Sequence, residues 1–139
     1  MCNNCNYTIH GRNHHFGWDN SIAPAEKVAP GSTIFFECLD SSGGQLSPES
    51  TVEDIAKLDF ARINPVTGPI YVDGAEPGDA LKVTIEEFKP SGFGWTANIP
   101  GFGLLADDFK EPALTIWKYD ASTLEPALFG KHGRVPLKP

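Results

Sequence analysis

"EPGDALKVTIEEF", residues 76–88, opens on a Pro-Gly turn and runs at once into alternation, with Leu81, Val83 and Ile85 set against Lys82, Thr84 and Glu86. A period of two puts the apolar three on one face and the polar three on the other, the pattern of a strand with one buried and one wet side. "APGSTIFFECLD", residues 29–40, echoes it. After the same Pro-Gly start, Ile34, Phe36 and Cys38 face one way and Thr33, Phe35, Glu37 and Leu39 the other, so the spacing predicts a strand covered on both sides.

Outward from these two, "ALTIWKY" (113–119), "PIYV" (69–72) and the edge candidate "AEKVA" (25–29) bring the expected strands to about five. The exception is "SPESTVEDIAKLDFARINP" (47–65), where Ser50 and Glu53 read as a capping box and Val52, Ile55, Leu58 and Phe60 recur at helical spacing. A short amphipathic helix is expected there, stopped before Pro65. The segments "NPVTGP" (64–69) and "KPSGFGWTANIPGFG" (89–103) are dense in Gly and Pro and read as loops, the second carrying Phe93, Trp95 and Phe102. The pattern is mainly β, a β-sandwich with one short helix inserted in a long connection.

Composition narrows the function. A length of 139 residues suits one domain. A formal charge of -7 repels phosphate backbones and anionic lipid, so neither nucleic acid nor membrane is an expected partner. No apolar run approaches the roughly 20 residues of a bilayer span, and "MCNNCNYTIHGR" lacks an apolar signal core, which points to a cytoplasmic protein. Cys2, Cys5 and Cys38 are too few and odd in number for a disulfide framework and read as reduced thiols. Lys131, His132, Arg134 and Lys138 read as a solvated basic tail.

Chemistry concentrates in "HHFGWDNSIAP", residues 14–24. Adjacent His14 and His15 point to opposite faces of an extended chain, so only one of them serves a given site. Gly17 allows a bend that brings His14 and Asp19 together, either as metal ligands or as a base with its orienting carboxylate; the plainer alternative is an Asx turn at Asp19-Asn20-Ser21. Glu37 and Asp40 follow at the end of the first strand, and the apolar neighbours of Glu37 are expected to raise its pKa. Cys2, Cys5, His10 and His14 together would make a zinc-organised structural site, although the spacing leaves no room for a zinc-finger helix. No G-x-S-x-G elbow or recognisable cysteine nucleophile occurs.

Taken together, "HHFGWDNSIAPAEKVAPGSTIFFECLD", "GGQLSPESTVEDIAKLDFARINPVTGPIYVDGAEPGDALKVTIEEF" and "GFGWTANIPGFGLLADDF" resemble the N-terminal part of the acetamidase/formamidase family. The resemblance runs from His14 to Pro139, leaving residues 1–13 as a tail. It implies a jelly-roll type β-sandwich, incomplete here, and hydrolysis of short aliphatic amides such as formamide and acetamide to the carboxylate and ammonia. It also implies a homo-oligomer, or pairing with a separate C-terminal half. His14, Asp19 and Glu37 are the expected catalytic residues, and Trp95, Gly101, Phe102 and Gly103 the expected substrate-binding loop. No organic cofactor is expected; should a divalent metal such as zinc activate the water, His14 and Asp19 are its expected ligands, with the third beyond Pro139. The family is longer than this chain and its later motif rich in Gly, Asp, His and Glu is absent, which places activity of the isolated chain in doubt. The competing reading is a non-catalytic β-sandwich module that binds a small ligand or a protein through the Gly-aromatic loop.

Overall fold

The structure of the chain, a computed structural model, describes residues 5–124, 127–129 and 133–136. It divides into two compact units, one of residues 1–45 and 59–83, the other of residues 46–58 and 84–139. The mainly β class with one short helix holds, and the strands among the described residues associate as five two-stranded ladders.

The first unit contains β1 (Tyr7–Ile9), β2 (His14–His15), β3 (Glu26–Val28), β4 (Ile34–Phe36), a single 3-10 turn (Phe60–Arg62), β5 (Val66–Thr67) and β6 (Ile70–Val72). β1 runs parallel to β4, with Tyr7 opposite Ile34 and Ile9 opposite Phe36. β3 runs parallel to β6, pairing Val28 with Val72, and β2 runs antiparallel to β5, pairing His14 with Thr67 and His15 with Val66. Ile9 and Val28 are its buried apolar residues. β4 is not sealed on both faces as its pattern suggests, since Ile34 and Phe35 are half-buried and Phe36 is exposed. β1 lies inside the segment read from sequence as a tail.

Two polar clips shape the turns of this unit. The Asp40 carboxylate accepts the backbone N–H groups of Ser42 (3.0 Å) and Gly44 (2.9 Å), which draws residues 40–44 into a tight loop and leaves Ser42 fully buried. The Gln45 side chain both accepts from the Asp59 N–H (2.8 Å) and donates to the Asp59 carbonyl (3.2 Å), fixing the entry to the 3-10 turn that Asp59 caps through Ala61 N–H.

The second unit contains α1 (Val52–Ile55), β7 (Phe93–Asn98), β8 (Ala113–Lys118), β9 (Ala127–Phe129) and β10 (Gly133–Val135). α1 begins one residue later than the sequence pattern implies. The Ser50 hydroxyl is taken up by the Ser47 N–H at 2.9 Å, so Thr51 becomes the cap and the Asp54 carboxylate accepts the Thr51 N–H at 2.9 Å. β7 and β8 are antiparallel over six pairs from Phe93–Lys118 to Asn98–Ala113, and β9 pairs antiparallel with β10. Leu46 and Ile55 are the buried apolar residues here.

Three expectations fail. Residues 81–85 form no strand: the stretch carries no helix, turn or bend, and Leu81, Val83 and Ile85 are 69%, 75% and 68% exposed. Alternation specifies which face seeks cover but not what supplies it, and no neighbouring strand among the described residues does. Conversely Phe93–Asn98, read as loop because of its glycines, is strand β7; Gly94 packs its backbone against Trp117 of β8. Cys5 is disulfide-bonded rather than reduced, and Cys38 is a free, exposed thiol. Of the basic tail, Lys131, His132 and Lys138 lie outside the described residues, as does Cys2. Among the described residues no helix is long and apolar enough to cross a membrane.

Candidate active site

β2 presents its two histidines in opposite directions, as alternation on a strand requires. His14 turns back on its own segment: its Nδ1 lies 2.7 Å from the Gly11 carbonyl oxygen and its ring stands edge-on to Phe16 at 5.5 Å between centroids. His15 faces an open cleft of about 550 Å³ that it lines with Trp18, Asp19, Asn20, Val66, Thr67 and Pro69. The antiparallel pairing of His15 with Val66 is what brings the "NPVTGP" segment to that wall.

The turn at Gly17, whose φ of 78° suits glycine, carries the chain from His15 to Asp19. His15 Nδ1 lies 3.0 Å from the Gly17 carbonyl oxygen, so the ring's other nitrogen, Nε2, is the one not engaged by this turn. Asp19 Oδ1 accepts the Ser21 N–H at 2.8 Å, so the Asx turn expected as the plain alternative does form. The Asp19 carboxyl is held below its usual range, chiefly by hydrogen bonds from the Ser21 side chain and backbone, with a smaller contribution from the charge of His15. The cleft thus combines an imidazole with a carboxylate that stays ionised at neutral pH. Turn geometry and placement at the cleft are not exclusive readings of Asp19.

Glu37 follows β4 and belongs to a second cluster on the same unit. Its Oε2 lies 3.0 Å from His10 Nδ1 and accepts the Gly11 N–H at 3.2 Å, while its backbone extends the parallel ladder through Glu37 N–H to the Ile9 carbonyl at 3.0 Å. The expected upward shift of its pKa is reversed. The carboxyl is lowered, first by the hydrogen bond with His10, then by the Gly11 N–H and the charges of His10 and Arg12. Its side chain is half open to water, so desolvation, which pushes the other way, is outweighed by these hydrogen bonds and charges. Thr67 joins the two clusters: it lines the cleft, and its hydroxyl donates to the Glu37 carbonyl at 3.0 Å.

Of the expected catalytic set, the structure therefore sets Asp19 at the cleft and draws Glu37 to His10, while the cleft histidine is His15 and not His14. His15 was visible in sequence as one of an adjacent pair, but choosing between the two depends on the register of β2 against β5. Val66, Thr67 and Pro69 carried no chemical signal. Trp95 sits half-buried on β7, and Gly101, Phe102 and Gly103 follow in a turn closed by the Phe102 N–H on the Ile99 carbonyl at 3.0 Å. None of these four lines the cleft.

Among the described residues no group of three or more His, Cys, Asp and Glu is arranged to hold a metal ion. Cys5, being disulfide-bonded, offers no thiolate, which removes the four-ligand zinc arrangement of Cys2, Cys5, His10 and His14. His15 and Asp19 supply two donors, one fewer than the roughly three protein ligands of a catalytic metal site.

The sequence profile of the acetamidase/formamidase family matches residues 4–127. The chain is 34% identical over 111 residues to the formamidase of Methylophilus methylotrophus, covering 76% of this chain and 27% of that protein. It is 33% identical over 118 residues to the acetamidase of Mycolicibacterium smegmatis, covering 76% of this chain and 29% of that one. In structure it superposes on a recombinant predicted acetamidase/formamidase from the thermophile Thermoanaerobacter tengcongensis with a TM-score of 0.82 at 28% identity, over 95% of this chain and 42% of that chain. The chain spans less than a third of the length of these curated relatives. A profile match over most of the sequence, joined to a shared fold, settles its kinship: the chain belongs to the acetamidase/formamidase family.

Proposed function

We propose that this chain supplies one wall of the active site of a hydrolase that cleaves the C–N bond of short linear amides, formamide and acetamide among them. The observation that carries this reading is the His15–Asp19 cleft, which lies inside residues 4–127, the region matched by the acetamidase/formamidase family. Hydrolysis requires a water oxygen to attack the carbonyl carbon while a base takes its proton; the tetrahedral oxyanion then expels the nitrogen as it gains a proton, giving carboxylic acid and ammonia. His15 is the imidazole here placed to take that proton, with Asp19, an ionised carboxylate lining the same cleft, favouring the imidazolium formed on the way. Trp18 and Asn20, which also line the cleft, carry side-chain N–H groups able to donate to the oxyanion, and we assign the remaining donors to the rest of the family fold. Were a divalent metal bound instead, His15 and Asp19 would hold it with a third ligand from that same remainder, and the metal would then supply the activation of the attacking water in place of His15 acting as base.

The test is ammonia release from formamide and acetamide by the chain joined to the remaining portion of a family member. We expect turnover from the assembly, and His15→Ala or Asp19→Asn to lower kcat/KM by on the order of 100-fold. A verified assembly that binds acetamide without turnover would replace this reading with that of a ligand-binding module. Undiminished activity of His15→Ala would remove the assigned base.

A further inference from the structure

Trp18 is 92% exposed, yet it lines the His15–Asp19 cleft. The backbone on either side of it is tied down: the Gly17 carbonyl oxygen lies 3.0 Å from His15 Nδ1, and Asp19 Oδ1 accepts the Ser21 N–H at 2.8 Å. The indole itself makes no hydrogen bond or ring contact among the described residues. A large apolar ring on a fixed backbone, held in water at the rim of a cleft, has its surface to give to a ligand. We infer that Trp18 sets the acyl specificity of this cleft, its ring covering the carbon chain of the amide so that propionamide and butyramide are taken ahead of formamide.

The register of β2 against β5 places the other wall of this subsite. Val66 stands opposite His15, and directly opposed side chains in an antiparallel ladder share a face with their Cβ atoms about 4.5–5.5 Å apart. An amide carbonyl carbon within reach of the His15 imidazole therefore carries its acyl substituent toward Val66. Pro69 extends that apolar wall, and both residues are only half-buried, so both keep surface to lose to a ligand. Asp19 and Asn20 give the lining its polar part, which suits the carboxamide and not the chain. Formamide has a hydrogen where the chain would lie and gains nothing from the wall, whereas each methylene buried there adds about fourfold to affinity. A cleft of about 550 Å³ is of the size that holds ligands much larger than formamide. The inference rests on the hydrolase reading for the placement of the amide carbon at His15.

Two measurements test it, the first blind to turnover. Acetamide, propionamide and butyramide are titrated into the 139-residue chain and into its assembly with the rest of a family member, and Trp18 fluorescence is followed. Trp18→Phe is the blank, since it leaves only Trp95 and Trp117 to emit. The emission of Trp18 is expected to shift to the blue and the Kd to fall about fourfold per methylene. In the second measurement the assembly hydrolyses the same series. From acetamide to butyramide, kcat/KM is expected to rise about 15-fold in the wild type, about 10-fold in Trp18→Phe, which keeps a ring without the N–H, and less than about threefold in Trp18→Ala. The ratio within each variant is the readout, because loss of the indole N–H lowers turnover of every amide alike. The ring is exposed, so neither substitution removes core packing, and circular dichroism checks the fold of each. Graded binding that Trp18→Ala abolishes, in a verified assembly that turns nothing over, keeps the inference and ends the hydrolase reading. Turnover that is flat in chain length, or as steep in Trp18→Ala as in the wild type, overturns the inference and leaves the hydrolase reading standing. So does Trp18 emission that butyramide moves in neither form, an outcome that, with emission already blue in the assembly, gives the ring to the rest of the fold.

Discussion

Glu37 shows how one side chain ties two strands and makes the tie depend on pH. The carboxylate accepts from His10 and from Gly11 N–H, joining the end of β1 to the residue after β4. Its folded pKa is lowered below the ordinary 4.5, so its contribution to stability is fully present above that value and fades as pH falls through the folded pKa. We expect the Glu37 carboxyl carbon, followed by NMR, to titrate below 4.5 and to move back up in His10→Ala, where the largest cause of the shift is gone. An unchanged midpoint in that variant would assign the shift to Gly11 instead. At this scale the sequence was half legible. That His14 and His15 must diverge follows from strand geometry alone. Which of them meets the cleft rests on Val66 and Thr67, about fifty positions away, and no local pattern encodes that register.

Between residue and molecule, the loops prove more tightly built than their composition suggests. In the Asp40 loop, Gly43 has a φ of 68°, and a Cβ there would collide with the Arg62 carbonyl oxygen. Gly43→Ala combines that collision with a left-handed backbone, and we expect it to cost about 2–4 kcal/mol, read as a fall in the urea midpoint with unchanged slope. The β7–β8 connection is held differently. Asn98, the last residue of β7, donates through Nδ2 to the carbonyls of Phe109 (3.0 Å) and Glu111 (2.6 Å), drawing the end of the fourteen-residue connection back to its start. Asn98→Ala leaves two carbonyls without that donor and should cost about 1–2 kcal/mol, with faster amide exchange confined to residues 99–111. Strands 69–72, 113–119 and 25–29 were legible because each found a partner close to where its pattern places it. Residues 81–85 carried the cleanest alternation of all and form no ladder. Periodicity reports the demand for burial, and only the rest of the fold meets it.

Taken over the described residues, apolar cover is thin: Leu81, Val83, Ile85, Phe102, Leu104 and Phe109 are all exposed, and the buried apolar residues are Ile9, Val28, Leu46 and Ile55. This was not legible in composition, because a hydrophobic content of 40% is ordinary and says nothing of how much of it is covered. The heat capacity of unfolding measures the difference directly, since it scales with the apolar surface that folding removes from water. A chain of 139 residues burying the usual share would show about 1.7–2.1 kcal/mol/K. Because this chain covers only part of the family fold and leaves its apolar edge and loop in water, calorimetry on the isolated chain should give less than about two thirds of that value. Joining it to the rest of the fold should raise the heat capacity by more than the added length contributes, as Leu81, Val83 and Ile85 pass from water into an interface. An isolated chain already at the full value would mean that its apolar side chains are covered in solution without help.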